Sequence, residues 1–231
     1  MEVEFVLIIF QVMVLIMSIV IHEVSHGLAA LWLGDSTAKY AGRLTLNPVK
    51  HLELWGSFIV PLVMMFTVGF GFGWAKPVPY NPYNLRDQKN GPALVGFAGP
   101  LSNIIVALFF GLCARFIPLN QMVKFDVASN VFSFSDLSVI FSGSLAAILF
   151  WLCLIIVTIN VFLAFFNLIP IPPLDGSKLL FSFMPLKTET KIMLEQFGFM
   201  ILIAFMILFS GPLGAFLLKV LSLFMQYVVG L

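Results

Sequence analysis

The chain reads IVIHEVSHGLAALWLG from Ile19 to Gly34, and in it two histidines and a glutamate interrupt an apolar run long enough to enter a bilayer. The run opens at Phe5, so His22 falls about 26 Å along a helix rising 1.5 Å per residue. About 20 apolar helical residues cross a hydrocarbon core. Ionisable side chains inside a span are costly, about +3 kcal/mol for Asp near a helix centre on insertion scales, and they mark function.

His22-Glu23-Val24-Ser25-His26 is an HExxH sequence. Residues four apart share one helix face, so both imidazoles can reach a single ion. Glu23 is turned about 100° from His22, beside such an ion and any water there. Zinc takes such ligands tetrahedrally, and a catalytic site keeps three protein ligands with the fourth position open. Its Lewis acidity acidifies water and polarises a carbonyl, while a neighbouring glutamate can carry the proton to the leaving amine. Given the composition, chance produces this motif on the order of 0.001 times in such a chain. Alone, each residue reads as a hydrogen-bonded polar group in a helix bundle; together, at membrane depth, they need a common partner.

Of 231 residues, 61% are hydrophobic and 10% charged, with a mean hydropathy of +1.07. That is membrane-protein composition. Stretches free of Asp, Glu, Lys, Arg and His run over 5–21, 54–75, 90–114, 137–174 and 196–218. Residues 1–231 are therefore expected to form a single integral membrane domain, with a catalytic core over about 5–180 and a C-terminal helical hairpin over about 190–231. The expected fold is all-α and polytopic, with about 5–6 transmembrane helices, a re-entrant segment and a short strand-like stretch. The opening MEVEFVLIIF has two glutamates where a signal peptide has basic residues, and reads as part of a mature helix. A net charge of +1 says nothing about acidic partners, and no nucleic-acid partner is expected. Cys113 and Cys153 lie in apolar stretches and read as ordinary buried thiols.

Helix 1 is expected over about 5–33, ended by Gly34-Asp35. The alternation from Tyr40 to Leu46 reads as a strand. Residues 57–73, broken by Pro61, Gly69, Gly71 and Gly73, read as a dip. Further helices are expected over about 93–117, 145–168, 192–209 and 213–230, the last two parted by Ser210-Gly211-Pro212. With a dip, Lys39, Arg43 and Lys50, then Lys76, Arg86 and Lys89, then Lys178, Lys187 and Lys191 fall on one side. The positive-inside rule makes that side cytoplasmic and the N-terminus external. The motif then lies in the cytoplasmic half of the cell membrane of a multi-pass protein.

A third ligand should be a His, Asp or Glu at membrane depth. The one candidate is Asp175, closing NLIPIPPLDG at 167–176, where Pro170, Pro172 and Pro173 force the backbone to unwind. Unwound backbone at that depth is tolerated where it is buried in protein or lines a wet cavity. The alternative is a helix ending at the interface with Asp175 in a turn. Gly96, Ala98, Gly99 and Ser102 in GFAGPLSN suit close helix packing. His51, near Glu53, reads as interfacial and not as a ligand.

HEVSH on a first helix, GFAGPLSN at 96–103 and NLIPIPPLDG at 167–176, in that order, resemble the site-2 protease family of intramembrane zinc metalloproteases. FGWAKPVPYNPYNL at 72–85 resembles its prokaryotic branch with a compact core and no PDZ domain. The resemblance implies one zinc ion per chain on His22, His26 and Asp175, with Glu23 as general base. It also implies Asn167 as a donor to the oxyanion. The expected substrates are transmembrane segments of other proteins in the lipid bilayer, which must unwind before cleavage. Tyr40, Leu44 and Leu46 are candidates to receive them as an added strand. The competing readings are a membrane metal-binding or transport protein, which would need further intramembrane ligands, and an inactive substrate-binding relative.

Overall fold

A computed structural model of the chain describes residues 2–53, 76–132, 144–184 and 186–231, together with Gly56, Ile59, Val63 and Phe66. Apolar, Leu- and Ile-rich sequence makes helix α1 (Glu2–Trp32), α3 (Gly91–Phe116) and α5 (Leu145–Asn167), each close to the expected bounds. Four shorter or later α-helices are α2 (Thr37–Tyr40), α4 (Gln121–Ser129), α6 (Asp175–Phe183) and α7 (Thr188–Phe224), and Pro48–Lys50 and Pro82–Asn84 form single 3-10 turns. A wider turn over Met225–Val229 continues α7. Among the described residues, four helical runs are long and apolar enough to cross a membrane: Phe5–Trp32, Gly91–Phe116, Leu145–Asn167 and Glu189–Val229.

Packing fixes the directions of the three central helices. Leu7 of α1 shares one apolar cluster with Ala114 near the end of α3 and with Phe150 and Trp151 near the start of α5. Ala30 of α1 meets Val95 at the start of α3, with Leu85 between them. So α1 and α5 run together and α3 runs against both. The connection from α1 to α3 thus leaves and re-enters the bundle at the same end. A buried stripe on α3, Gly96, Gly99, Asn103, Ala107, Gly111 and Ala114, recurs every three or four residues. Most of these are small, which lets helices approach where lipid gives no hydrophobic drive to associate. The indole of Trp151, fully buried, donates to the Val131 carbonyl at 3.0 Å.

Two expectations are corrected. Residues 40–46 are not a strand, and no strand occurs among the described residues. Thr37–Tyr40 is a helical turn with Ala38 buried, Gly42 reverses the chain at φ +64°, and the Arg43 N–H donates to Ala38. The Arg43 guanidinium is drawn inward to the carbonyls of Lys50 and Lys76, so the alternation reflects a turn around a buried cation. The C-terminal hairpin is instead one helical run, kinked at Phe209 just before Pro212. Gly198 of that run lies against Pro172 and Gly230 against Arg115, at opposite ends of the bundle. The expected dip over 57–73 falls outside the described residues apart from Ile59, Val63 and Phe66.

Candidate metal centre

His22 and His26 project from one face of α1 and are 6% and 7% exposed; Asp175, 6% exposed, opens α6 opposite them. The rings meet edge to face with centroids 4.6 Å apart. Both Nε2 atoms turn to one carboxylate oxygen, Asp175 Oδ2, at 3.0 Å from His22 and 3.1 Å from His26. The three donor atoms lie within 4.8 Å of one another. Among the described residues this is the group of three or more His, Cys, Asp or Glu placed to hold an ion.

Each donor is held from behind. His22 Nδ1 is 2.6 Å from Asn103 Oδ1, and His26 Nδ1 is 2.6 Å from the Val95 carbonyl oxygen. The carbonyl can only accept, so His26 Nδ1 carries a hydrogen and Nε2 is the nitrogen left to face an ion. Asp175 Oδ1 accepts from Lys178 Nζ at 2.9 Å, which leaves Oδ2 to face the rings. Two imidazoles and a carboxylate are the donor set zinc prefers, with room for a fourth ligand. Outer partners that orient each ligand are what such sites need, and on both counts the residues fit a zinc ion.

The backbone around the donors is correspondingly tight. Gly99 faces the rings so closely that a β-carbon there would meet both Nε2 atoms. A β-carbon on Gly176 would stand 2.2 Å from the Leu168 carbonyl oxygen, which is how the unwound segment 168–174 folds back under α6. Glu23 follows His22 on α1, and its Oε2 accepts the Val78 N–H at 2.8 Å. Val78 lies between Pro77 and Pro79, which have no N–H, so it is the one backbone donor of that tripeptide. Lys178 Nζ also lies over the Tyr80 ring, 5.7 Å from its centroid.

Of the sequence-predicted residues, the fold brings together His22, His26 and Asp175. Asn167 ends α5 and donates to the Leu163 carbonyl at 2.8 Å, so its amide is turned to its own helix. Leu44 packs toward Gly27, next to His26 on α1, while Tyr40 and Leu46 are exposed. His51 is fully buried; its Nε2 lies 2.8 Å from the Thr45 carbonyl, and it is not among the three donors. Sequence reasoning missed Asn103 and Lys178. A polar residue at the end of a small-residue motif and a lysine three after the ligand were the available signals.

A family model described as Peptidase family M50 matches residues 10–205. "Putative zinc metalloprotease YwhC" of Bacillus subtilis is 35% identical over 210 residues, covering 90% of this chain and 84% of that protein. "Putative zinc metalloprotease Rip2" of Mycolicibacterium smegmatis is 29% identical over 194 residues, 83% of this chain and 64% of that protein. "Putative zinc metalloprotease MJ0611" of Methanocaldococcus jannaschii is 30% identical over 182 residues, 74% of this chain and 72% of that protein. No solved structure matches the chain.

Proposed function

Since the chain belongs to Peptidase family M50, the site-2 proteases, we propose that it hydrolyses peptide bonds in or next to transmembrane segments of other membrane proteins. His22, His26 and Asp175 hold one zinc ion and Glu23 is the general base. The observation that carries this reading is the convergence of three donors within 4.8 Å, on an apolar helix and with Glu23 next in sequence to a ligand.

When bound, zinc supplies Lewis acidity, which lets nearby water give up a proton near neutral pH and polarises a carbonyl. Glu23 takes that proton and returns it to the leaving amine. The Val78 N–H fixes one carboxylate oxygen and leaves the other free for the transfer. Asn167 gives up its bond to Leu163 and donates to the developing oxyanion. Gly99 and the unwound segment before Asp175 border the space where a carbonyl can approach.

The apolar runs support a membrane-embedded site and hence membrane substrates. Lys39, Lys76, Arg86 and Lys89 gather at the end where α1 leaves and α3 enters, which supports that end as cytoplasmic and the site as lying in that half of the bilayer. The test is purification with metal analysis and cleavage of a single-span substrate. Glu23→Gln is expected to keep its zinc and lose cleavage by about 10²- to 10⁴-fold; undiminished cleavage would remove Glu23 from the role.

A further inference from the structure

We propose that Asn103, Asn160 and the Ile156 carbonyl form a relay that fixes a hydrogen of His22 on Nδ1, so that Nε2 is the nitrogen that faces the metal.

The direction follows from one atom that can only accept. Asn160 donates through Nδ2 to the Ile156 carbonyl at 2.9 Å, and the same Nδ2 is 2.9 Å from Ser18 Oγ. Its Oδ1 must therefore face Asn103, whose Nδ2 donates to it at 2.7 Å. A second carbonyl, that of Ser18, confirms this orientation by accepting from the same Asn103 Nδ2 at 3.3 Å. Asn103 is left with Oδ1 toward His22 Nδ1 at 2.6 Å, and that ring nitrogen must carry the hydrogen. Asn103 and Asn160 are both fully buried, so water cannot reverse either amide. The relay runs from Ile156 and Asn160 on α5 through Asn103 on α3 to His22 on α1, and reversing either amide would set like groups against each other at membrane depth, where an unmet donor or acceptor is costly.

Asn103 and Asn160 are thus positioning residues for the zinc site proposed above. They act on a ligand and not on substrate, and the relay rests on that reading.

The test uses the full chain in detergent, stripped of metal and labelled with ¹⁵N-histidine, then titrated with zinc against a competing chelator. Wild type is expected to bind zinc and, when zinc-free, to give His22 ring shifts with hydrogen on Nδ1. Asn103→Leu is expected to shift His22 toward the other tautomer and weaken zinc roughly 10- to 100-fold. Asn160→Ala touches neither histidine and should move both readouts the same way by less. The relay is overturned by an Nε2-hydrogen His22 in zinc-free wild type, a result that needs no variant to fold. It is equally overturned if Asn103→Leu and Asn160→Ala leave tautomer and affinity unchanged. A wild type that takes up no zinc, whatever its His22 tautomer, would instead overturn the metalloprotease reading.

Discussion

A β-carbon placed on Gly99 would stand 2.5 Å from the Nε2 atom of His26, and 2.6 Å from that of His22. Both rings are tied at Nδ1, by Val95 and Asn103, so neither can retreat cheaply. Gly99→Ala is expected to weaken zinc at least tenfold and to lower cleavage further, while the helices persist. Chelator competition and circular dichroism check the two halves; unchanged affinity would mean the rings have room to move.

Lys178 holds the carboxylate oxygen of Asp175 that the histidines do not use. Its stem is wedged against Gly96, where a β-carbon would be 3.0 Å from Lys178 Cδ. In Lys178→Met the carboxylate loses its anchor and can rotate both oxygens toward the rings. Zinc affinity is expected to fall roughly 10- to 100-fold, read by metal content after dialysis against a series of zinc buffers.

Gly176 meets backbone, which cannot swing aside as a side chain can. Gly176→Ala is expected to act on folding before chemistry, costing about 2–4 kcal/mol. A fall in the detergent melting temperature with or without zinc would agree; a full-stability variant defective in cleavage alone would not.

Asp35, beyond the end of α1, is buried, and burial by itself disfavours its charge. Hydrogen bonds from the Thr37 hydroxyl, the Asn84 amide and the N–H groups of Asn81 and Thr37 outweigh that and hold the carboxyl below its ordinary value. A carboxyl lowered in the folded state adds stability above its unfolded pKa, and loses it as pH falls through the folded one. Asp35→Asn should therefore melt lower than wild type at pH 7, with the gap closing below about pH 4. A gap independent of pH would assign the effect to shape and not to charge.

The parts legible in the sequence were those with a period or a fixed spacing. His22 and His26 are one helical turn apart, and the prolines before Asp175 announce an unwound backbone whatever surrounds it. The apolar runs gave α1, α3 and α5 within two or three residues. What escaped depends on contacts remote in the chain. Asn103 bonds a residue 81 positions away, and the alternation at 40–46 could not reveal that Arg43 would turn inward to backbone carbonyls. GFAGPLSN was read as packing, and its small residues do pack. Yet the neighbours that require Gly99 to be a glycine are two imidazoles of another helix. The kink at Phe209 replaced a hairpin because Pro212 bends a helix without obliging the chain to return.

The amide of Val78 has no equivalent on either side, since prolines flank it, and it is bonded to Glu23. When that loop loosens, the carboxylate loses the bond that holds it in its working position. Deuterium uptake at this one amide is a clock for how often the base is unseated, and a ligand that holds the loop closed would be seen there before any bond is cut.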